Sequence, residues 1–229
     1  MERVSRLWCP VVILLLIAWA SAGYAHDVAE TDKLFVQSVD GPAIWPFLYL
    51  GAKHMVTGYD HILFLIGVVF FLYRLKDVVL YVSIFTVGHS TTLLLGVLLG
   101  IGANAHLVDA IIGLSVVYKG VENIGGFRKL GFSINTKVMV FVFGLFHGLG
   151  LATKLMDLAV SKNGLLANLI AFNAGVEIGQ VIVLVAVVSL LNIWRGRSSF
   201  EHSAAAANIF LIIAGLALTG YQLTRYFAA

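Results

Sequence analysis

The sequence predicts an all-α fold: a polytopic bundle of about six transmembrane helices that follows a cleavable N-terminal signal peptide. Of the 229 residues, 60% are hydrophobic and only 12% are charged, whereas a soluble domain carries about 25% charged residues. The apolar residues form long runs, and neither a strand pattern nor a repeat of roughly 20–50 residues competes with them. The length suits one bundle and leaves no room for a second domain.

The first 25 residues have the composition of a secretory signal peptide. Arg3 and Arg6 form a basic start, residues 11–20 form a short apolar core, and Gly23 and Ala25 put small residues where signal peptidase reads them. We expect cleavage after Ala25, which leaves residues 26–43 as a short extracytoplasmic segment. The alternative is an uncleaved anchor helix, but the apolar core is shorter than the roughly 20 residues of a stable span.

The rest of the chain, residues 44–229, is predicted to be a single transmembrane domain. Residues 44–57 include Lys53 and His54 and are interpreted as an interfacial or re-entrant helix. Six spans are expected to follow, over residues 59–73, 78–101, 106–125, 137–156, 165–193 and 204–226.

Basic residues in the loops predict the orientation of these spans. They follow the first, third and fifth spans: Arg74, Lys76, Arg128, Lys129, Lys137, Arg195 and Arg197. Because cytoplasmic loops carry an excess of lysine and arginine, the odd-numbered spans are expected to end in the cytoplasm. The protein is therefore predicted to be a multi-pass protein of the cytoplasmic (inner) membrane whose mature N-terminus is extracytoplasmic.

Charge and motif content argue against several classes of function. The formal net charge is +3 and no basic run occurs, so no nucleic acid is expected as a partner. No Gly-x4-Gly-Lys-Ser/Thr run occurs, so no nucleotide is expected either. The single cysteine, Cys9, lies in the first apolar segment, which excludes a disulfide framework and a thiolate metal site.

Six ionisable residues in or beside the apolar runs are the candidate metal ligands: His54, Asp60, His61, His89, His147 and Glu177. A charge at the bilayer centre costs roughly 2.5–3.5 kcal/mol on insertion scales, so such residues are rare without a partner or a function. Imidazole suits nickel, copper, zinc or cobalt, and a carboxylate can bind the ion or orient a histidine. We expect Asp60, His61, His89 and His147 to converge on one point, with His54 at the outer approach.

Several of these residues also have a purely structural interpretation. His54 could be a hydrated group at the membrane surface, and His89 and His147 could each be satisfied by a helix carbonyl group. Lys119 and Glu122, three residues apart on the third span, are predicted to form a local ion pair without a role in metal binding.

Glu177 shares a stripe with Asn173 and Gln180, since their i, i+4, i+7 spacing places them on one face of a helix. This stripe is predicted to face the bundle, where Glu177 could be a second ion site or a proton acceptor. Alternatively, a protonated Glu177 could simply form hydrogen bonds between helices.

These motifs carry a resemblance to a known family. His54-x3-Gly58-x-Asp60-His61 resembles the first-helix signature of the HupE/UreJ family of nickel permeases, with Met55 where the family has proline. VGHST at 87–91 is similar to a second motif of that family and of nickel/cobalt transporters. FHG at 146–148 and FNAGVEIGQ at 172–180 resemble motifs of one HupE/UreJ subfamily. The resemblance implies a helical permease for a divalent transition metal ion, with nickel favoured and copper, cobalt or zinc as alternatives.

The predicted function is to bind such an ion through the His/Asp/Glu site and to move it across the membrane. The expected partners are the lipid bilayer, the metal ion, and a membrane protein or a second copy of the chain. One alternative is a non-transporting metal-binding or assembly subunit of a membrane metalloenzyme. Another is an intramembrane metal-dependent hydrolase, although enzymatic activity is disfavoured because no His-Glu-x-x-His motif occurs.

Overall fold

The computed structural model describes residues 30–158 and 161–228, and every regular element within these ranges is a helix. This confirms the predicted all-α class. The predicted signal peptide and Cys9 lie outside the described residues. The helices are α1 (Glu30–Ser38), α2 (Ile44–Thr57), α3 (Tyr59–Val69), α4 (Leu75–Leu99), α5 (Ala105–Asn123), α6 (Gly126–Lys129), α7 (Thr136–Asp157), α8 (Leu165–Arg195) and α9 (Phe200–Ala228).

Four of the described helices, α4, α7, α8 and α9, are long and apolar enough to cross a membrane. They correspond to the second, fourth, fifth and sixth predicted spans. The first and third predicted spans correspond to α3, which has only 11 residues, and to α5, which has 19. For these two helices, crossing of the membrane remains a prediction.

Three helix pairs pack backbone against backbone at glycines: α2 with α8, α4 with α7, and α5 with α9. A Cβ atom at Gly51 would lie 1.9 Å from the carbonyl oxygen of Phe172, and one at Gly148 would lie 2.1 Å from that of His89. A Cβ atom at Gly113 would meet the backbone of α9 at 2.8 Å. Small residues let helix backbones approach closely, and this packing holds membrane helices together where the hydrophobic effect cannot.

Helices α2 and α3 run along α8 in the same direction. The Ala43 amide donates a hydrogen bond to the Asn168 side chain at one end, and Arg195 donates one to the Phe70 carbonyl oxygen at the other. Both contacts join residues 125 positions apart, so the register between the two segments is the same at both ends. Helix α2 thus continues into α3 as one path interrupted at Gly58, and the interfacial or re-entrant position of residues 44–57 stays a prediction.

The short helix α3 lies at the centre of the bundle and contacts α2, α4, α5, α8 and α9. Its residues His61 and 63–69 are all buried. A helix that is apolar all round is buried, either in a protein core or in a membrane, and here the neighbouring helices bury it. Helix α3 thus forms the axis around which the other helices are arranged.

Arg195, at the end of α8, caps the C-terminal end of α3. Its guanidinium group donates hydrogen bonds to the carbonyl oxygens of Val69 at 2.6 Å, Phe70 at 2.6 Å and Leu72 at 3.1 Å. These carbonyl groups lack partners within α3, and a cation is favourable at the negative end of a helix dipole. From the sequence, Arg195 indicated only membrane orientation, so its role in holding α3 was missed.

Candidate metal site

Four histidine rings meet near the N-terminal end of α3, and His61 is the ring that touches the others. The ring centre of His61 lies 4.9 Å from that of His147, 5.0 Å from that of His54 and 6.0 Å from that of His89. These four residues, called the imidazole cluster below, come from α2, α3, α4 and α7. The side chains of His61, His89 and His147 are at most 4% exposed.

Gly58 separates α2 from α3 and brings His54 and His61 together. The helix breaks at Gly58, between the two histidines. The amide of Gly58 still donates a hydrogen bond to the His54 carbonyl oxygen at 2.9 Å. A Cβ atom at position 58 would lie 3.0 Å from His61 Nδ1 and 3.2 Å from Asp60 Oδ1, so the absence of a side chain makes room for this pair.

His89 and His147 are brought into the cluster by the glycine contacts between α4 and α7. Gly148 follows His147 directly, and it packs against the backbone carbonyl group of His89. Gly144 packs in the same way against the carbonyl oxygen of Phe85, which would lie 2.4 Å from an added Cβ atom. These glycines therefore set the relative position of the two histidines, a role that the sequence did not distinguish from general packing.

Hydrogen bonds determine which ring nitrogen carries the proton in two of the histidines. His61 Nδ1 lies 3.0 Å from Asp60 Oδ1, and His147 Nδ1 lies 2.7 Å from the carbonyl oxygen of Phe143. Both oxygens are acceptors, so Nδ1 is the donor in each ring and the lone pair is on Nε2. A carboxylate or carbonyl group behind a histidine orients metal-binding imidazoles in the same way.

Among the residues that the structure describes, five buried nitrogen atoms of the imidazole cluster lack a hydrogen-bond partner: Nε2 of His54, His61 and His147, and both ring nitrogens of His89. A buried polar atom left without a partner costs roughly 1–3 kcal/mol. The structural interpretation of His147 is thus correct for one of its nitrogens only, and His89 has no carbonyl group to satisfy it. Neutral imidazole nitrogens are the ligands that nickel, cobalt, copper and zinc accept.

The rings are adjacent, but they do not form a closed coordination shell. Within the described ranges, no group of three or more histidine, cysteine, aspartate or glutamate side chains has the spacing of a metal-binding set. The structure therefore brings His54, His61, His89 and His147 together, with Asp60 behind His61, and leaves their donor atoms apart. Their chemistry fits a transition metal ion, and their side chains must rotate to bind one.

Phenylalanine rings close the imidazole cluster on the side of the basic loops. Phe64 lies one turn after His61 on α3, with its ring centre 5.2 Å from that of His147. Phe85 lies 5.0 Å from His147 and 6.1 Å from His89 by the same measure. This apolar wall, which the sequence did not predict, keeps water from the cluster and strengthens electrostatic interactions within it.

A polar network lies at the opposite end of the bundle, where α5 begins and α7 ends. Lys154 Nζ contacts both carboxylate oxygens of Asp109, at 3.0 and 2.9 Å, and Gln222 donates a hydrogen bond to the same carboxylate at 3.3 Å. His106 Nδ1 lies 2.9 Å from Gln222 Oε1. Because Lys154 follows His147 by seven residues on α7, this network lies about 10 Å along the helix from the imidazole cluster.

Glu177 lies outside the imidazole cluster. Asn173 and Gln180 face α4 as predicted, since Ser90 and Thr86 donate hydrogen bonds of 2.9 Å to their side-chain oxygens. Glu177 is exposed, and it accepts a hydrogen bond of 3.4 Å from Asn173. The prediction that the whole stripe faces the bundle is wrong for Glu177, because residues four apart on a helix differ by about 40° in direction.

The predicted ion pair between Lys119 and Glu122 is confirmed. Thr136 donates a hydrogen bond to the same carboxylate, and the Lys119 side chain is buried. The pair is therefore satisfied internally, near the basic end of α5, and it takes no part in the imidazole cluster.

The role of Asp60 can be tested by substitution. Asp60→Asn keeps the shape of the side chain but removes the charge that orients His61, so we expect metal affinity to fall about 10–100-fold. Titration calorimetry on detergent-purified protein measures this, with the exposed Asp157→Asn as a control that should bind normally. An unchanged affinity would mean that Asp60 acts only as a favourable charge in the first turn of α3.

Comparison with known proteins gives one match that covers most of the chain. A family model described as HupE / UreJ protein matches residues 30–229. No curated protein and no solved structure matches the chain.

Proposed function

The chain belongs to the HupE/UreJ family, and from this premise we propose that it is a permease that moves a divalent transition metal ion across the cytoplasmic membrane. Family membership and the four long apolar helices support a membrane metal-permease role. The observation that carries the proposal is the set of five unpartnered nitrogen atoms in the imidazole cluster. An ion passing through the bundle would use their lone pairs and remove the cost of leaving them unpaired.

The ion is proposed to be nickel, with cobalt, copper and zinc as alternatives. Nitrogen donors backed by a carboxylate favour these ions over magnesium or calcium, which prefer oxygen ligands. His61 and His147 would bind through Nε2, because Nδ1 is held by Asp60 and by a carbonyl oxygen respectively. His54 and His89 would complete the set from the two flanking helices.

The direction of the path follows from the two ends of the bundle. The basic loops are proposed to face the cytoplasm, so the network of Asp109 and Lys154 would face outward. A cation would meet this network first, then His54, and then the other imidazoles. The phenylalanine wall lies beyond them, and movement of Phe64 or Phe85 would be needed for passage toward the cytoplasm.

The proposal is tested by metal content and flux. Detergent-purified protein should retain nickel, and proteoliposomes should accumulate it, whereas His89→Ala should do neither. The exposed His202 lies outside the cluster, so His202→Ala is the matched control and should be normal in both assays. Retained metal without flux would instead favour the assembly-subunit function, because binding alone does not move an ion.

Metal binding is expected to weaken as pH falls. Protonation of an imidazole removes the lone pair that binds metal, so protons and metal compete for the cluster. Affinity should therefore fall as the pH is lowered and the imidazoles become protonated. Nickel titrations at successively lower pH, with circular dichroism to check the fold, measure the effect. Flat affinity over the whole pH range in which the protein stays folded would contradict competition between protons and metal at the cluster.

Glu177 is proposed as a second station on the path, outside the imidazole cluster. It contacts Asn173, which bonds to Ser90, and Ser90 follows His89. We expect Glu177→Gln to reduce flux while metal bound at the cluster stays unchanged, because only the titratable charge is lost. Uptake assays with Asp157→Asn as the control decide this, and normal uptake by Glu177→Gln would remove Glu177 from the path.

A further inference from the structure

A cleft at the basic end of the bundle is separate from the imidazole cluster. It has a volume of about 980 Å³ and lies between the end of α3, the turn from α5 to α6, and the turn from α8 to α9. Its lining includes three cationic side chains, Lys129, Arg195 and Arg197, and one carboxylate, Glu201. A pocket of this size is large enough for a drug-sized ligand.

The cations of the cleft are not paired with carboxylates in the described part of the chain. Within the described part of the chain, neither Lys129, Arg195 nor Arg197 forms an ion pair. Arg195 is held instead by neutral carbonyl groups and by the ring of Tyr73, whose centre lies 4.7 Å from the guanidinium carbon. Its Nε atom is buried without a hydrogen-bond partner. With three cations against one carboxylate, the described lining of the cleft carries an excess of positive charge.

One wall of the cleft continues into an apolar surface of α9. Ile209 lines the cleft and is 49% exposed, and Ile213 and Leu216 follow it with 58% and 53% exposure. Their i, i+4, i+7 spacing places them in one stripe along the helix. A charged cleft thus opens directly onto a surface suited to hydrocarbon chains.

We propose that this cleft binds the phosphate group of an anionic phospholipid, with the acyl chains along the stripe of α9. Arginine and lysine bind phosphate through charge-assisted hydrogen bonds, and basic pockets at the cytoplasmic ends of membrane helices bind anionic head groups. A free phosphate ion would use the cations but not the apolar stripe. The site requires neither the imidazole cluster nor metal transport.

Lipid binding to the full chain tests the proposal, with native mass spectrometry of detergent-purified protein as the readout. Phosphatidylglycerol should bind more tightly than phosphatidylcholine with the same chains. The double variant Lys129→Gln/Arg197→Gln should weaken phosphatidylglycerol binding roughly 25-fold, at about fivefold per charge. Both residues are exposed, and Arg195 is left in place because it caps α3. The control Arg74→Gln/Lys76→Gln removes two exposed charges from the same end but outside the cleft, and it should bind normally.

A single variant tests the charge argument in the opposite direction. Glu201→Gln removes the one carboxylate in the described lining of the cleft, and it should strengthen phosphatidylglycerol binding about fivefold. Equal weakening in the two double variants would overturn the proposal, because it would reveal only a general attraction to surface charge. Equal binding of the two lipids, or their displacement by inorganic phosphate at the same concentration, would also overturn it.

Discussion

Replacement of His61 by alanine is expected to abolish metal binding and uptake while the helical bundle remains folded. Its ring is the one that contacts the other three histidines, with ring centres 4.9–6.0 Å away. The hydrogen bond from His61 Nδ1 to Asp60 leaves the lone pair of the ring on Nε2. Loss of a group that hydrogen-bonds to a ligand lowers metal affinity roughly 10–100-fold. Loss of a ligand itself should therefore lower metal affinity by a larger factor.

Nickel titration and proteoliposome uptake measure this effect, and circular dichroism checks the fold. His61→Asn keeps a polar side chain of moderate size, so it separates the loss of a ligand from the effect of a cavity. His202→Ala again controls for the loss of an exposed histidine. Nickel affinity within about tenfold of the wild type for both His61 variants would falsify a site centred on the imidazole cluster.

Gly148→Ala is expected to disrupt the contact between α4 and α7 and, with it, the imidazole cluster. The new Cβ atom would lie 2.1 Å from the carbonyl oxygen of His89 and 2.3 Å from Thr92 Oγ1. A real Cβ atom cannot approach a backbone oxygen so closely, so the two helices must separate. Overpacking of this kind costs typically 1–3 kcal/mol, and the displacement moves His89 away from His147.

Thermal unfolding in detergent and nickel titration should therefore both respond to Gly148→Ala. Gly220→Ala is the matched control, because a Cβ atom there has nothing within 4 Å and the residue is exposed on α9. It should leave both measurements unchanged or raise stability slightly, since alanine favours helix more than glycine does. If Gly148→Ala were as stable as Gly220→Ala and bound nickel normally, the backbone contact between α4 and α7 would not position the cluster.

The sequence by itself determined the helical class and most of the candidate site. Long apolar runs with few charges leave hydrogen-bonded helices as the favoured structure in lipid. Because a polar or charged side chain is costly to place in lipid, His61, His89 and His147 stand out within those runs. The structure brings these three and His54 together. Asp60 could also be identified, because it precedes His61 directly.

Only the tertiary structure decided which groups stand behind and around these histidines. The hydrogen bond from His147 to the Phe143 carbonyl group depends on the rotamer of the histidine. The wall of Phe64 and Phe85 and the cap that Arg195 places on α3 each join residues of different helices. The prediction that Glu177 faces the bundle was wrong for a related reason. Residues of one stripe differ in direction around the helix axis, and the packing of neighbouring helices decides which of them are buried. Glycines indicate that two helices approach closely, but the partner and the register follow only from the packing of the whole bundle.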